Sequence, residues 1–256
     1  MRKSSLNSTL VLASLLLSMG AYAQTADKPE AANSQKEAPA SGLSGIWLTR
    51  APRGVGWYNY ALAGPDVPMT PWAVEQFKGS KPSFGPNNFE DSNDPAYACL
   101  PPGPLRVYAF GGAEMQIVQI PGRVLILFGR DVRQIYTDGR EHPKNLQTTW
   151  MGHSIGHWES DTFVVDTVGI KDSNWIDRMG HTHSDQLHVV ERFRRADAST
   201  LNLDMTMDDH KAFTKAWTAQ RTFRLRPPSD RMVERFCEEI FDHETFGVKV
   251  IPPSRE

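Results

Sequence analysis

The sequence predicts an all-β domain folded as an antiparallel barrel. Three observations carry this. From Glu114 onward, short apolar runs recur with period two, the spacing at which side chains of a strand share one face. Turn dipeptides such as Pro121-Gly122 and Asp138-Gly139 separate these runs at short intervals. Long amphipathic helices do not alternate with the strands, so a sandwich or barrel is favoured over βαβ units.

The chain opens with Arg2 and Lys3, an apolar run from Leu10 to Met19, and Ala21-Tyr22-Ala23 before Gln24. These are the three parts of a secretory signal peptide, so residues 1–23 are expected to be removed and the mature protein to be periplasmic or secreted. Residues 24–42 are Ala, Ser, Lys, Glu, Gln and Pro without periodicity, a leader too polar to order itself. Residues 43–256 form the expected single domain.

Its first strand is Ser44-Gly45-Ile46-Trp47. Residues 51–110 are rich in Pro, Gly and Asn and carry Trp57-Tyr58-Asn59-Tyr60. One short helix is predicted there, with Thr70 as N-cap, Pro71 in the first turn and Gly79 past the end. Segments this long usually cover something, and this one reads as a loop and short helix over one mouth of the barrel. Strands follow at Glu114 to Ile120, Arg123 to Phe128 and Val132 to Thr137. Two lie within His153 to Ile170, a hairpin runs Leu187 to Arg195 and Leu201 to Met207, and Trp217 to Leu225 and Met232 to Glu238 end the set.

The charge is nearly balanced, 28 Lys and Arg against 30 Asp and Glu, and turns more acidic once Arg2 and Lys3 leave. No basic stripe is present, which argues against nucleic acid and anionic membranes as partners. No later stretch has the length of a membrane-spanning helix. The two cysteines, Cys99 and Cys237, allow a disulfide in an oxidising compartment, contributing roughly 4–5 kcal/mol through closure of the long loop between them. Two separate buried thiols are the other reading.

Two resemblances sharpen this. Gly45-x-Trp47 at the first strand resembles the start of lipocalin-like (calycin) barrels, where the Trp plugs the closed end. The string W-x-G-x-S-x-G-x-W-E-x-D-T-x-V-V-D-T (Trp150 to Thr167), followed by H-S-D-x-L-H-V-x-E-R-F-R-R (His183 to Arg195), resembles a group of exported bacterial proteins of unassigned function. The first implies a lipocalin-like fold; the second implies a domain of its own kind and no activity.

Five of the eight histidines fall between His153 and His188, and histidine both titrates near neutrality and ligates metals. A tight turn at Ser160-Asp161 pairs Trp158 with Phe163, His157 with Val164, Ile155 with Asp166 and His153 with Val168. His153, His157 and Asp166 then share a face. An odd loop at Asp197-Ala198-Ser199 sets Phe193 opposite Leu203 and Glu191 opposite Met205, which puts Glu191 among apolar side chains. Burial there raises its pKa unless a cation such as Arg133 or Arg221 pairs with it. If Gly180 to Gln186 stays extended, His181, His183 and Asp185 share the face of Glu191. His188 has the opposite parity. His142, His210 and His243 read as surface histidines.

Three functions compete. The first is a cofactor-independent acid–base enzyme (a lyase, isomerase or hydrolase) acting on a small sugar-derived, phenolic or terpenoid molecule in the barrel. His183 would be its base, oriented by Asp185 or Asp166, with Glu191 or His157 as acid and His153 nearby. Trp57, Tyr58, Tyr60, Trp150 and Trp175 would contact the substrate. The second is a Zn or Fe site drawn from His153, His157, His181, His183 and Asp166. The third is a non-catalytic periplasmic binder of a small ligand. Each residue also has an ordinary structural reading: Glu191 as a buried ion pair, His157 as a turn histidine, Asp166 at a strand end.

Overall fold

Nine strands close into one barrel in a computed structural model of the chain. It describes residues 42–50, 61–62, 64, 66–82, 91–109 and 113–233. The chain divides into two units, Met1–Asn33 and Ser34–Glu256, and every described residue belongs to the second. The expected signal peptide, nearly all of the leader, Trp57, Tyr58, Tyr60 and Cys237 lie outside the described residues.

The strands are β1 (Gly45–Thr49), β2 (Glu114–Ile120), β3 (Arg123–Phe128), β4 (Asp131–Tyr136), β5 (His153–Glu159), β6 (Thr162–Val168), β7 (His188–Arg195), β8 (Thr200–Asp208) and β9 (Trp217–Leu225). They neighbour one another in chain order, and β1 pairs with β9 to close the sheet. The lipocalin-like all-β architecture is therefore observed, with one correction to the antiparallel expectation: β4 and β5 run parallel. The cause is arithmetic. A ring with an odd number of strands cannot alternate direction everywhere, so at least one neighbouring pair must be parallel. A parallel pair needs a long crossover in place of a hairpin, and residues 137–152 supply it. This seam is short, with Ile135↔Ser154 and Tyr136↔Ile155 in register. Met232 and Val233 carry no strand, and the rest of the last expected strand lies outside the described residues.

Both predicted registers are observed. The Ser160-Asp161 turn, with Ser160 at φ 61°, sets Trp158↔Phe163, Ile155↔Asp166 and His153↔Val168. The β7–β8 hairpin sets Phe193↔Leu203 and Glu191↔Met205. Parity then decides the core. Phe163 and Val165 of β6, Val189 and Phe193 of β7, Leu201 to Met207 of β8 in alternation, and Ala219 and Phe223 of β9 are buried together. Trp47 is fully buried near the start of β1, its indole donating to the Leu43 carbonyl at 2.9 Å, with the Arg195 guanidinium over its ring.

One end of the barrel carries tight turns; the other carries the long connections β1–β2, β6–β7 and β8–β9. Helix α1 (Pro71–Lys78) lies in the first of these. Its Thr70 hydroxyl caps Ala73, Pro71 opens it and Gly79 follows it, in a right-handed conformation that does not need glycine. Thr70 also donates to the Lys211 and Ala212 carbonyls, which fastens α1 to the β8–β9 connection. The Arg221 guanidinium, inside β9, donates to the carbonyls of Ala61, Leu62 and Tyr108. Thus a core cation holds the covering segment down on its mouth.

Gly156 occupies an inward position of β5 at the parallel seam. A Cβ there would stand 2.6 Å from Phe163 and 2.9 Å from Ile135. Gly156→Ala is therefore expected to lose about 1–3 kcal/mol by overpacking. Urea unfolding measures this, and the added Phe163→Leu should recover part of the loss.

Candidate functional site

Parity separates the polar residues into an outer cluster, a buried pair and a group at the loop-rich mouth. The outer cluster centres on Asp166. His142 Nε2 lies 3.0 Å from one carboxylate oxygen and His188 Nε2 lies 2.9 Å from the other. His142 Nδ1 meets His153 Nδ1 at 2.8 Å, and His153 stacks on Tyr136. The expected convergence of His153 with Asp166 is thus real, but His142 mediates it. His157 shares the outward face yet is exposed and pairs with Glu159. Because this face looks outward, the cluster cannot meet Glu191 across the barrel. His188, set aside on parity, is a direct partner of Asp166 for that same reason. His142 reaches the cluster from the 137–152 crossover, whose path nothing in the local sequence fixes.

Hydrogen bonds from His188 and His142 hold the Asp166 carboxyl below its ordinary range, against the effect of burial. Asp166 in turn raises His188. Burial, with His142 and Arg140 nearby, lowers His153.

The buried pair is Arg133 and Glu191. Arg133 Nη1 donates to Glu191 Oε1 at 2.8 Å, and Nη2 bonds Oε2. Thr167 accepts from Nη2 at 2.8 Å, Ser154 accepts from Nε and Nη2, and the Tyr108 hydroxyl accepts from Nη1 at 3.3 Å. Burial disfavours the guanidinium charge, but Glu191 and Tyr108 outweigh it and raise the Arg133 pKa. Burial, then the Glu191 charge, raises that of Tyr108. Of the two readings of Glu191, the ion pair is the one observed, and the carboxylate is committed to Arg133.

The mouth group lies in the 169–187 connection. His181 Nδ1 donates to Asp177 Oδ2 at 2.8 Å, and the ring stacks on Phe77 of α1 at 4.7 Å. Asp177 also accepts from the amides of Met179 and Leu62, so His181 and Asp177 tie the connection to the cover. His183 is buried. Its Nδ1 donates to the Ser184 carbonyl at 2.8 Å, which leaves Nε2 as the basic nitrogen. Ser184 itself is held by Asp209, through its amide at 2.6 Å and its hydroxyl at 2.8 Å. Burial lowers the His183 pKa; the Ser184 carbonyl and the charges of Asp209, Asp172 and Asp185 oppose it without prevailing. The chain turns at Asp185-Gln186, so the expected extension of Gly180 to Gln186 stops short. Asp185 is exposed and does not bond His183.

His183 lines a recess with Asn174, Trp175, Ile170, Ile176, Leu187 and the short helix α2 (Gly103–Arg106) with Pro102 before it. Trp175 is a wall, and the Arg106 guanidinium, paired with Asp94 at 2.5 Å, lies over its ring. Trp150 stands outside the recess, its ring beneath Lys171 and its carbonyl against Gly103. His183 and Trp175 are therefore the two expected site residues that line this recess; Asn174 and Gly103, ordinary loop residues in sequence, gave no signal. Among the described residues no three His, Cys, Asp or Glu side chains are arranged to hold a metal ion. His153, His157, Asp166, His181 and His183 are divided between the outer wall and the mouth.

Comparison with known proteins adds no relative: no family description, curated protein or solved structure matches this chain.

The Asp166 cluster has a definite pH signature. Asp166 stabilises fully above its ordinary value of 3.8 and less as pH falls through its lowered value. His188 stabilises fully below 6.5 and less as pH rises through its raised value. Between these limits both contribute. In NMR titration, His188 should show a midpoint above 6.5 and His153 one below it. Asp166→Asn should bring the His188 midpoint down.

Proposed function

We propose that the chain is an exported acid–base enzyme, a lyase, isomerase or hydrolase acting on a small organic molecule at the loop-rich mouth, with His183 as its base. One observation carries the reading. His183 is buried, its Nδ1 is fixed by the Ser184 carbonyl, and its Nε2 makes no hydrogen bond among the described residues while the side chain lines a recess beside Trp175. A neutral imidazole with an oriented, unshared lone pair is what proton abstraction near neutral pH requires. The lowered pKa keeps the ring in that form.

Glu191 is given no acid role, because it is bound to Arg133, and His157 none, because it is on the outer wall. His183 takes the proton and returns it. Asp209 positions it through Ser184. Export follows from cleavage after Ala23, and a Cys99–Cys237 bridge belongs to the same proposal, since the exported compartment is oxidising.

The test is a screen of the mature chain against small esters, glycosides, lactones and enolisable ketones. His183→Gln should cut turnover by about 10²–10⁴ with the fold intact by circular dichroism. The rate of the native protein should fall as pH drops through a midpoint below 6.5, since protonation removes the base. Full activity in His183→Gln would overturn the assignment.

A further inference from the structure

The recess at His183 has features that the acid–base reading does not use. Asn174 is almost fully buried, and its side chain forms no hydrogen bond among the described residues. Its Oδ1 is a buried acceptor without a partner. A buried amide left this way is uncommon, because it forfeits the water it would bind in solvent. Space is kept for it deliberately: Gly103 stands against it, at φ +75°, where a Cβ would lie 2.4 Å from Asn174 Nδ2. The rest of the wall is Pro102, Pro104, Leu105, Ile170, Ile176 and Leu187, which offer no polar side-chain atom, and Trp175, whose indole N–H is a donor.

The side chains that line this recess thus carry two acceptors, Asn174 Oδ1 and His183 Nε2, beside two donor groups, the Asn174 amide and the Trp175 indole. An entering group that satisfies both acceptors must carry two donors. A carbonyl has none, an alcohol has one, and an ionised carboxylate has none. The cavity volume is about 10 Å³, room for about one water molecule. Water is the two-donor group of that size, and no side-chain carboxylate among the lining residues would hold an ammonium in its place.

We infer that the recess holds the reacting water, donated to His183 and oriented by Asn174, so that the reaction is a hydrolysis. This rests on the acid–base reading and narrows it to one of its three classes. The step balances without any further reagent. The water O–H bond breaks and its proton passes to His183 Nε2. The oxygen forms a bond to an electrophilic carbon of the substrate, the bond from that carbon to its leaving atom breaks, and the leaving atom keeps the electron pair. His183 then returns the proton to that atom, which leaves as an alcohol or acid. Trp175 lines the same recess and gives the substrate an aromatic surface to rest on.

The experiment is run on the mature chain with the ester, glycoside or lactone that turns over in the screen, in water enriched in ¹⁸O. One ¹⁸O in the product per turnover is expected, absent from the leaving group. Asn174→Leu should lower kcat roughly hundredfold with KM little changed, and Asn174→Gln should restore part of it. Water-to-protein NOEs at the Trp175 indole should be present in the native chain and lost in Asn174→Leu. A product that is a rearranged or eliminated substrate without ¹⁸O would overturn the inference while leaving His183 as base. So would an Asn174→Leu enzyme with unchanged kcat. Undiminished turnover in His183→Gln would sink the acid–base reading itself, which separates the two failures.

Discussion

The Arg133–Glu191 ion pair is the constraint on which the rest of the barrel depends. Two charges taken from water cost several kcal/mol each, and only excellent geometry offsets that. Here the guanidinium is bonded to both carboxylate oxygens and by Ser154, Thr167 and Tyr108. The pair starts on β4 and ends on β7, and the Ser154 and Thr167 hydroxyls that support it come from β5 and β6. It therefore spans the parallel seam, where the sheet has the shortest register. The strand beneath its path is kept small where the pair crosses, with Ser154 and Gly156 at two inward positions of β5, and a long side chain can pass there.

The same pair reaches toward the mouth. Tyr108 belongs to the stretch just after α2, and its hydroxyl is fixed by Arg133 while its carbonyl accepts from Arg221. Two interior arginines thus anchor the cover, and α2 forms one wall of the recess at His183. The chain of cause runs from a buried charge, through a fixed segment, to the shape of a site that contains no charged wall of its own. It also places the burial that lowers the His183 pKa under control of the core.

Much of the fold was legible in the sequence because period-two patterning and turn chemistry are local. Ser160-Asp161 set the β5–β6 register, and the alternation of Leu201, Leu203, Met205 and Met207 set that of β7–β8. The parallel seam was not legible, since it depends on the number of strands that close and on the path of residues 137–152. The site was legible at His183 and Trp175, which stand in a polar, aromatic connection between clear strands. It was not at Asn174, Gly103 or His142, whose roles come from partners far along the chain. Parity gave the faces correctly but not which face was inside; that depended on the side chains of neighbouring strands, and it moved Asp166 and His153 to the outer wall.

The measurement that bears most directly on this account is a double-mutant cycle at Arg133 and Glu191, read by urea unfolding. Arg133→Met and Glu191→Leu should each lose about 3–5 kcal/mol, because each leaves a buried charge without its partner. Arg133→Met combined with Glu191→Leu should lose far less than the sum of the single losses, since the desolvation cost then disappears with the charges. Single variants that unfold like the native chain, or losses that simply add, would contradict the claim that this pair organises the barrel.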